Sequence, residues 1–380
     1  MDFIGALGDG IWSTAIGTIL PFLFVLTVIV FFHELGHYLV GRWSGIRIMA
    51  FSVGFGPEIL GFNDRHGTRW KLCAIPLGGY VKFLGDENAA SVPDQAAIGR
   101  MSPAERAGAF HTASLPRRAA TVAAGPVANF ILAIAIFAGV AYVNGRVVGD
   151  PVVAEVQADS PAAQAGLMPG DRILAADGQT IAYFSDFQRH VSTRANIPIA
   201  VTVERNGSPV ELTVTPEERT QTDNFGNEFQ VPVIGVVAND ASSSFRVEEL
   251  SLGQSLAFGA SQTWFVTERT VHFIGGIFTG SQPSDQIGGP IRIAQISGQA
   301  ATMGFAPLLN LAALLSISIG LLNLLPIPML DGGHLLFYAA EAVRGRPLSE
   351  RVQEIGFRIG LALVMGLMIF AFWNDLSSLT

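Results

Sequence analysis

The stretch FFHELGHYLV, residues 31–40, sets two histidines and a glutamate directly after the apolar run ILPFLFVLTVIV. His33, Glu34 and His37 form the pattern H-E-x-x-H. On a helix, positions i and i+4 lie one turn apart on one face, so both imidazoles can meet a single ion. Zinc suits them, with Zn–N bonds of about 2.0–2.1 Å. Glu34 then stands beside the water that such an ion activates and can take its proton. The competing account is a pair of histidines satisfied by neighbouring backbone or side chains. A membrane helix argues against it. A charged side chain at the bilayer centre costs about 2.5–3.5 kcal/mol on insertion scales, and polar groups kept there mark function.

A catalytic zinc site has three protein ligands and one open position. The third can come from NLLPIPMLDGGH, residues 323–334. Pro326 and Pro328 break a helix there and free backbone carbonyls, which at membrane depth are tolerated only where protein or water covers them. Asp331 follows, with Gly332 and Gly333 expected to let the chain turn tightly. Asp331 can instead cap the helical segment GGHLLFYAAEAV, and the two roles are compatible. His334 is read as a supporting or structural residue, not a fourth ligand.

These residues need a frame, and composition says which kind. Only 14% of the 380 residues are charged, against about 25% in soluble domains, and mean hydropathy is +0.42. Four segments are long and apolar enough to cross a bilayer: 14–40, 119–143, 305–325 and 355–373. Lys and Arg set the orientation. The loop 41–118 carries ten of them and residues 1–15 none; Arg344, Arg346 and Arg351 lie between spans three and four. Both short loops are therefore expected in the cytosol, with both termini and the long region 144–304 outside. His33 precedes the flanking Arg42 by nine residues, so the metal motif lies about 13 Å inside the cytosolic boundary. The N-terminus, with Asp2 and Asp9 and no basic stretch, is not expected to be a cleaved signal peptide. The single cysteine, Cys73, excludes an intrachain disulfide and a cysteine-based metal cluster. Net charge is −8 and no basic tract occurs, so nucleic acid is excluded as a partner.

Residues 150–216 change character, with short β-like runs between turn signals such as Pro169-Gly170-Asp171 and Asn206-Gly207. The stretch SPAAQAGLMPGDRILAADG resembles the PDZ family, whose members bind peptide ends by adding a strand to a sheet edge. The following region, 219–304, contains LSLGQSLAFGASQTWFVTERTVHFI, which reads as a weakly amphipathic helix, either on the membrane surface or packed on the spans. Between spans one and two, IRIMAFSVGFG and TRWKLCAIPLGGYVKFLG are glycine-punctuated β-type runs.

H-E-x-x-H in a first span, with N-x-x-P-x-P-x-L-D-G ending a later one, resembles the site-2 protease family of intramembrane zinc proteases. The PDZ insertion resembles its bacterial regulator-of-sigma-E branch. The resemblance implies an α-helical polytopic membrane protein of about four transmembrane helices, with an inserted PDZ domain and a membrane-associated β-hairpin that presents substrate as a strand. It implies Zn2+ held by His33, His37 and Asp331, with Glu34 as catalytic acid/base. Asn323 is implied to hold substrate or oxyanion, the alternative being a hydrogen bond between helices. Asn129, in the family-like stretch GPVANF, is read as packing glue. The expected layout is a first helix at 1–43, a cytosolic β-rich loop at 44–117 and a second helix at 118–144. The PDZ domain follows at 145–218, then 219–304 with its amphipathic helix. The third helix and ligand segment occupy 305–334, and a cytosolic loop with the fourth helix 335–380. The implied partners are single-span membrane proteins resembling anti-sigma factors, remnant signal peptides, peptide ends at the PDZ domain, and lipid. The implied location is the bacterial inner membrane. A non-catalytic PDZ scaffold with structural zinc is the alternative, disfavoured because such a site has no use for Glu34. A membrane-anchored protease acting on soluble proteins is disfavoured because both ligand segments sit in apolar spans.

Overall fold

The computed structural model describes residues 15–377 apart from 89–90, 223–227, 239–244 and 281–287. The expectation about a signal peptide, resting on Asp2 and Asp9, lies outside the described residues. Four helices are long and apolar enough to cross a membrane: Ile16–Trp43, Leu115–Asn144, Phe305–Asn323 and Arg351–Ser377. Three of them run past the expected bounds by one to four residues at one or both ends. Hydropathy marks only the apolar stretch, whereas backbone bonding continues through flanking Arg117, Arg118 and Arg351.

The chain divides into two compact units. The first holds nearly all of the four membrane-length helices. Helix α1 (Leu20–Trp43) leads into a long hairpin, β1 (Ile48–Asn63) and β2 (Arg69–Phe83). The hairpin folds back on itself. Ala50–Val53 of β1 lies between two parts of β2, Gly79–Lys82 on one side and Arg69–Leu72 on the other. Gly54 and Gly56, both at positive φ, make the bend possible. The near half packs on α1, where Phe51, Val81, Phe83, Phe110 and Tyr38 form a buried cluster. Burying one such Phe contributes about 1.5–3 kcal/mol. The far half exposes Ile59, Leu60, Phe62 and Ile75, an apolar tip suited to lipid.

After short helical turns comes α2 (Leu115–Asn144), with Pro126 inside it. Later in the chain, α5 (Pro290–Thr302) and α6 (Phe305–Asn323) pack on α1 through Val25, Ile29, Ala300, Leu308 and Ala312. Helices α7 (Asp331–Arg344) and α8 (Glu350–Ser377) complete this unit.

The second unit is β-rich. Strands β3 (Arg146–Gly149) and β4 (Val153–Val156) precede β5 (Arg172–Ala176), β6 (Gln179–Thr180), α3 (Phe184–Ser192), β7 (Ile199–Arg205) and β8 (Ser208–Val214). The central sheet has the order β6-β5-β7-β8. Asn206 and Gly207, both at positive φ, close the β7–β8 hairpin as a type I′ turn requires. The unit does not stop at residue 218. The chain continues through β9 (Glu217–Thr222), β10 (Glu228–Val233), β11 (Val236–Ala238) and β12 (Phe245–Glu248). Strand β11 pairs with β4, β12 pairs with β3, and Ile234 enters the core beside Val153 and Phe187. These pairings join strands distant in sequence, which local periodicity does not reveal. The amphipathic segment forms α4 (Leu252–Thr279), opened by a capping box of Ser251 and Gln254.

Candidate metal centre

His33 and His37 project from one face of α1, their rings edge to face with centroids 4.8 Å apart. The two Nε2 atoms are 3.3 Å from each other. Asp331 completes a triangle, with Oδ2 3.2 Å from His33 Nε2 and Oδ1 3.5 Å from His37 Nε2. Asp331 Oδ2 is buried and accepts no hydrogen bond.

This triangle fits zinc. For a tetrahedral ion with bonds of about 2.0–2.1 Å, ligand atoms stand about 3.3 Å from one another. The two imidazole Nε2 atoms stand at that separation, ligand atoms taken one from each residue all lie within 4.8 Å of one another, and a cation is the partner that the orphaned Asp331 oxygen lacks. The donor set of two imidazoles and one carboxylate matches the metal's preference. Among the described residues, no other group of three His, Cys, Asp or Glu side chains converges in this way.

Local sequence explains how each ligand is held. His37 Nδ1 donates to the carbonyl of Thr121 on α2, at 2.9 Å. That bond fixes the tautomer and leaves the Nε2 lone pair for a metal. Helices α1 and α2 approach closely because Gly36 meets the Ala124 carbonyl, where a Cβ would lie 2.2 Å from the oxygen. Gly125 meets the imidazoles themselves, and a Cβ there would stand 2.3 Å from His37 Nε2 and 2.9 Å from His33 Cε1. Asn129, fully buried one turn further on, lies 3.2 Å from His33 Nδ1.

Asp331 arrives by a different device. Helix α6 stops at Asn323, and Leu330 N–H bonds the Ile327 carbonyl at 3.0 Å. Pro328 and Met329 are the central residues of that turn, and Met329 has φ 90°. This is the pattern of a type II turn, which favours Gly at its third position. A methionine held there stores roughly 1–3 kcal/mol of strain. Asp331 is the first residue of α7, with Leu330 in the cap position, so the capping role is not what the structure shows. Gly332 and Gly333 also differ from expectation. Neither has positive φ; they are needed for close approach, because a Cβ would lie 2.2 Å from the Leu325 carbonyl oxygen and 2.3 Å from that of Ile327, respectively.

The site opens on a cavity of about 200 Å³ lined by His33, Glu34, His37, Tyr80, Asn323 and Asp331. Glu34 meets the backbone N–H of Val81 on β2, and Gly79 leaves room for its stem. Asn323 lines the same cavity, with its amide donating back to the Ile319 carbonyl at 3.1 Å. His334 lies between this cavity and a second recess of about 630 Å³, and Ser91 lines both. In that recess Arg118 forks onto Glu341 at 2.6 and 3.2 Å. Burial pushes the His334 pKa down.

The structure thus brings together all five residues singled out from the sequence: His33, Glu34, His37, Asn323 and Asp331. It adds three that were missed or read otherwise. Thr121, Gly125 and Asn129 recur every fourth residue on α2, one helical stripe facing the two histidines. That spacing was the available signal for them.

Comparison with known proteins follows the same lines. The family model described as Peptidase family M50 matches residues 21–367. A Rhizobium meliloti protein named "Putative zinc metalloprotease" is 55% identical over 360 residues, covering 95% of this chain and 96% of its own. The Caulobacter vibrioides protein named Metalloprotease MmpA is 42% identical over 377 residues, covering 93% and 94%. Among solved structures, the PDZ domain of an SdrC-like protein from Listeria monocytogenes matches with 21% identity and a TM-score of 0.20, over 23% of this chain and 86% of its own. On the extent of the family match and the identity to these relatives, the chain belongs to peptidase family M50.

Proposed function

We propose that this zinc metalloprotease is an intramembrane endopeptidase, cutting single-span membrane proteins within or beside their transmembrane segment. The observation that carries the reading is the His33–His37–Asp331 triangle beside Glu34, on a helix apolar enough to cross a membrane. In this reading His33, His37 and Asp331 hold the ion. When bound, zinc supplies Lewis acidity toward the scissile carbonyl and makes water acidic enough to attack near neutral pH. Glu34 takes the proton of the attacking water and returns it to the amide nitrogen as the C–N bond breaks. Asn323, on the cavity wall, positions the substrate carbonyl.

A helical substrate hides its carbonyls in backbone bonds, so it must open before it is cut. Residues Gly79–Phe83 of β2 offer the means. They pair with β1 on one side, and among the described residues no strand pairs with the other. Gly79, Tyr80, Val81 and Phe83 line the site cavity. A substrate segment added there as a strand exchanges its helical bonds for sheet bonds next to Glu34. Water reaches the site from the 630 Å³ recess at His334, on the side where the basic loops lie. The β-rich domain faces outside and either filters substrates by size or docks their peptide ends. The substrate class is anti-sigma-factor-like proteins already trimmed outside, together with remnant signal peptides.

The test is cleavage of a panel of single-span substrates by the purified full chain in liposomes. Cleavage is expected inside or next to the apolar segment. It should be abolished by a chelator and restored by zinc. Cuts confined to soluble proteins would overturn the intramembrane reading.

Orientation in the bacterial inner membrane is tested separately. A reporter inserted at Asn88 is expected to score as cytosolic and one fused after Thr380 as periplasmic, because the loop 41–118 carries ten basic residues and the segment after 373 none. The opposite pair of results would reverse the topology.

A further inference from the structure

The two imidazoles of the site are not supported alike. His37 has a backbone carbonyl at Nδ1, an acceptor that admits only one tautomer. His33 has Asn129, whose Nδ2 stands 3.2 Å from His33 Nδ1. With the amide facing that way, His33 Nδ1 must accept. Its proton then sits on Nε2, aimed into the space between Asp331 and His37, where a metal ligand needs a lone pair. The same orientation leaves Asn129 Oδ1 buried without a donor. Burying an unpartnered acceptor costs about 1–3 kcal/mol.

The two ends of a carboxamide have nearly the same shape, and the hydrogen-bond network decides which way it faces. Turning the Asn129 amide by 180° removes the first conflict, because His33 then keeps its proton on Nδ1 and leaves the Nε2 lone pair free. Oδ1 then accepts the proton of His33 Nδ1, and Nδ2 takes the position that no donor reaches. The rest of Asn129 is held, because Ser316 Oγ of α6 donates to its backbone carbonyl at 2.9 Å and Gly320 of α6 packs so close that a Cβ there would stand 3.3 Å from the Asn129 Cβ. Amide orientation is the freedom left to it.

We propose that Asn129 is a positioning residue for the metal site, setting the tautomer of His33 through Oδ1, and not only an anchor between helices. The proposal rests on the zinc-site reading above. Asn129 does for His33 what the Thr121 carbonyl does for His37, and it ties that task to α6, the helix that runs on toward Asp331. Partners of this kind, hydrogen-bonded to the far nitrogen of a liganding histidine, typically alter metal affinity by about 10–100-fold when removed.

The experiment is zinc binding to the purified full chain in detergent, by competition with a chelator, for wild type, Asn129→Leu and Asn129→Asp. Helix content and melting temperature are followed in parallel. Wild type is expected to bind one zinc. Asn129→Leu keeps the branching at Cγ and loses the acceptor, so its zinc affinity should fall about 10–100-fold. Asn129→Asp keeps an acceptor and should bind zinc at least as tightly as wild type. Wild-type affinity in Asn129→Leu would overturn the role of Asn129 and leave the metal site standing. An equal loss in Leu and Asp variants, both well folded, would also overturn it, showing that the amide acts by packing or through its N–H. A wild-type chain that binds no zinc would remove the metal site itself and this inference with it.

Discussion

Glu34→Gln is expected to lower the rate of peptide cleavage by about 10²–10⁴-fold while the protein keeps its zinc and binds substrate uncut. The substitution keeps the length and shape of the side chain and removes its ability to take a proton. The ligand triangle does not include Glu34, so the metal has no reason to leave. The contact with Val81 N–H also survives, because the Gln side-chain oxygen still accepts. Binding and chemistry therefore separate in one variant. The measurement is single-turnover cleavage of a single-span substrate, with zinc content determined on the same preparation. Turnover near the wild-type rate would take Glu34 out of the mechanism. Loss of zinc together with activity would make it a structural support of the site.

Gly125→Ala is expected to abolish the site from a residue with no chemistry of its own. Its Cβ would lie 2.3 Å from His37 Nε2 and 2.4 Å from His37 Cε1, inside any allowed contact. Helix α2 cannot retreat cheaply, because Gly36 of α1 already rests against the Ala124 carbonyl. The imidazole must turn away, and its bond to Thr121 goes with it. Zinc affinity should drop at least as far as on loss of a histidine's supporting partner, about 10–100-fold, with cleavage falling in step. Alanine is the better helix former by about 1 kcal/mol, so helix content should hold or rise. Lost metal in a protein no less helical is the signature to look for. A Gly125→Ala protein that binds zinc as wild type does would show that the two helices are freer to part than their packing implies.

How far the site could be read from the sequence follows from what each residue depends on. His33, Glu34 and His37 form a motif within five residues on one helix, so geometry follows from helical period alone. Asp331 was legible because two prolines and two glycines around one carboxylate are an unusual local signal, although the glycines serve close packing and not a turn. Asn129 was read as packing glue alone because the side chain it meets, His33, lies 96 positions away, and only the α1–α2 crossing brings them together. The continuation of the β-rich unit past residue 218 was hidden for the same reason: β11 and β12 find their partners in β4 and β3, a long way back along the chain. Apolar spans announced themselves by length, and hairpins by Asn-Gly, since both are local.

The proposed ligands come from α1 near the start of the chain and from the first residue of α7 near its end. A membrane protein is made and inserted from its N-terminus, so the H-E-x-x-H helix enters the bilayer long before Asp331 is synthesised. With this ligand set, a chain still on the ribosome carries two histidines and a base but no third ligand, and the turn at Met329 that aims the aspartate has not formed. The order of the elements along the gene thus acts as a safety catch. On the proposed reading, a peptidase that cuts apolar helices is born among them and stays unarmed until three of the four described spans are in place and the last is about to follow.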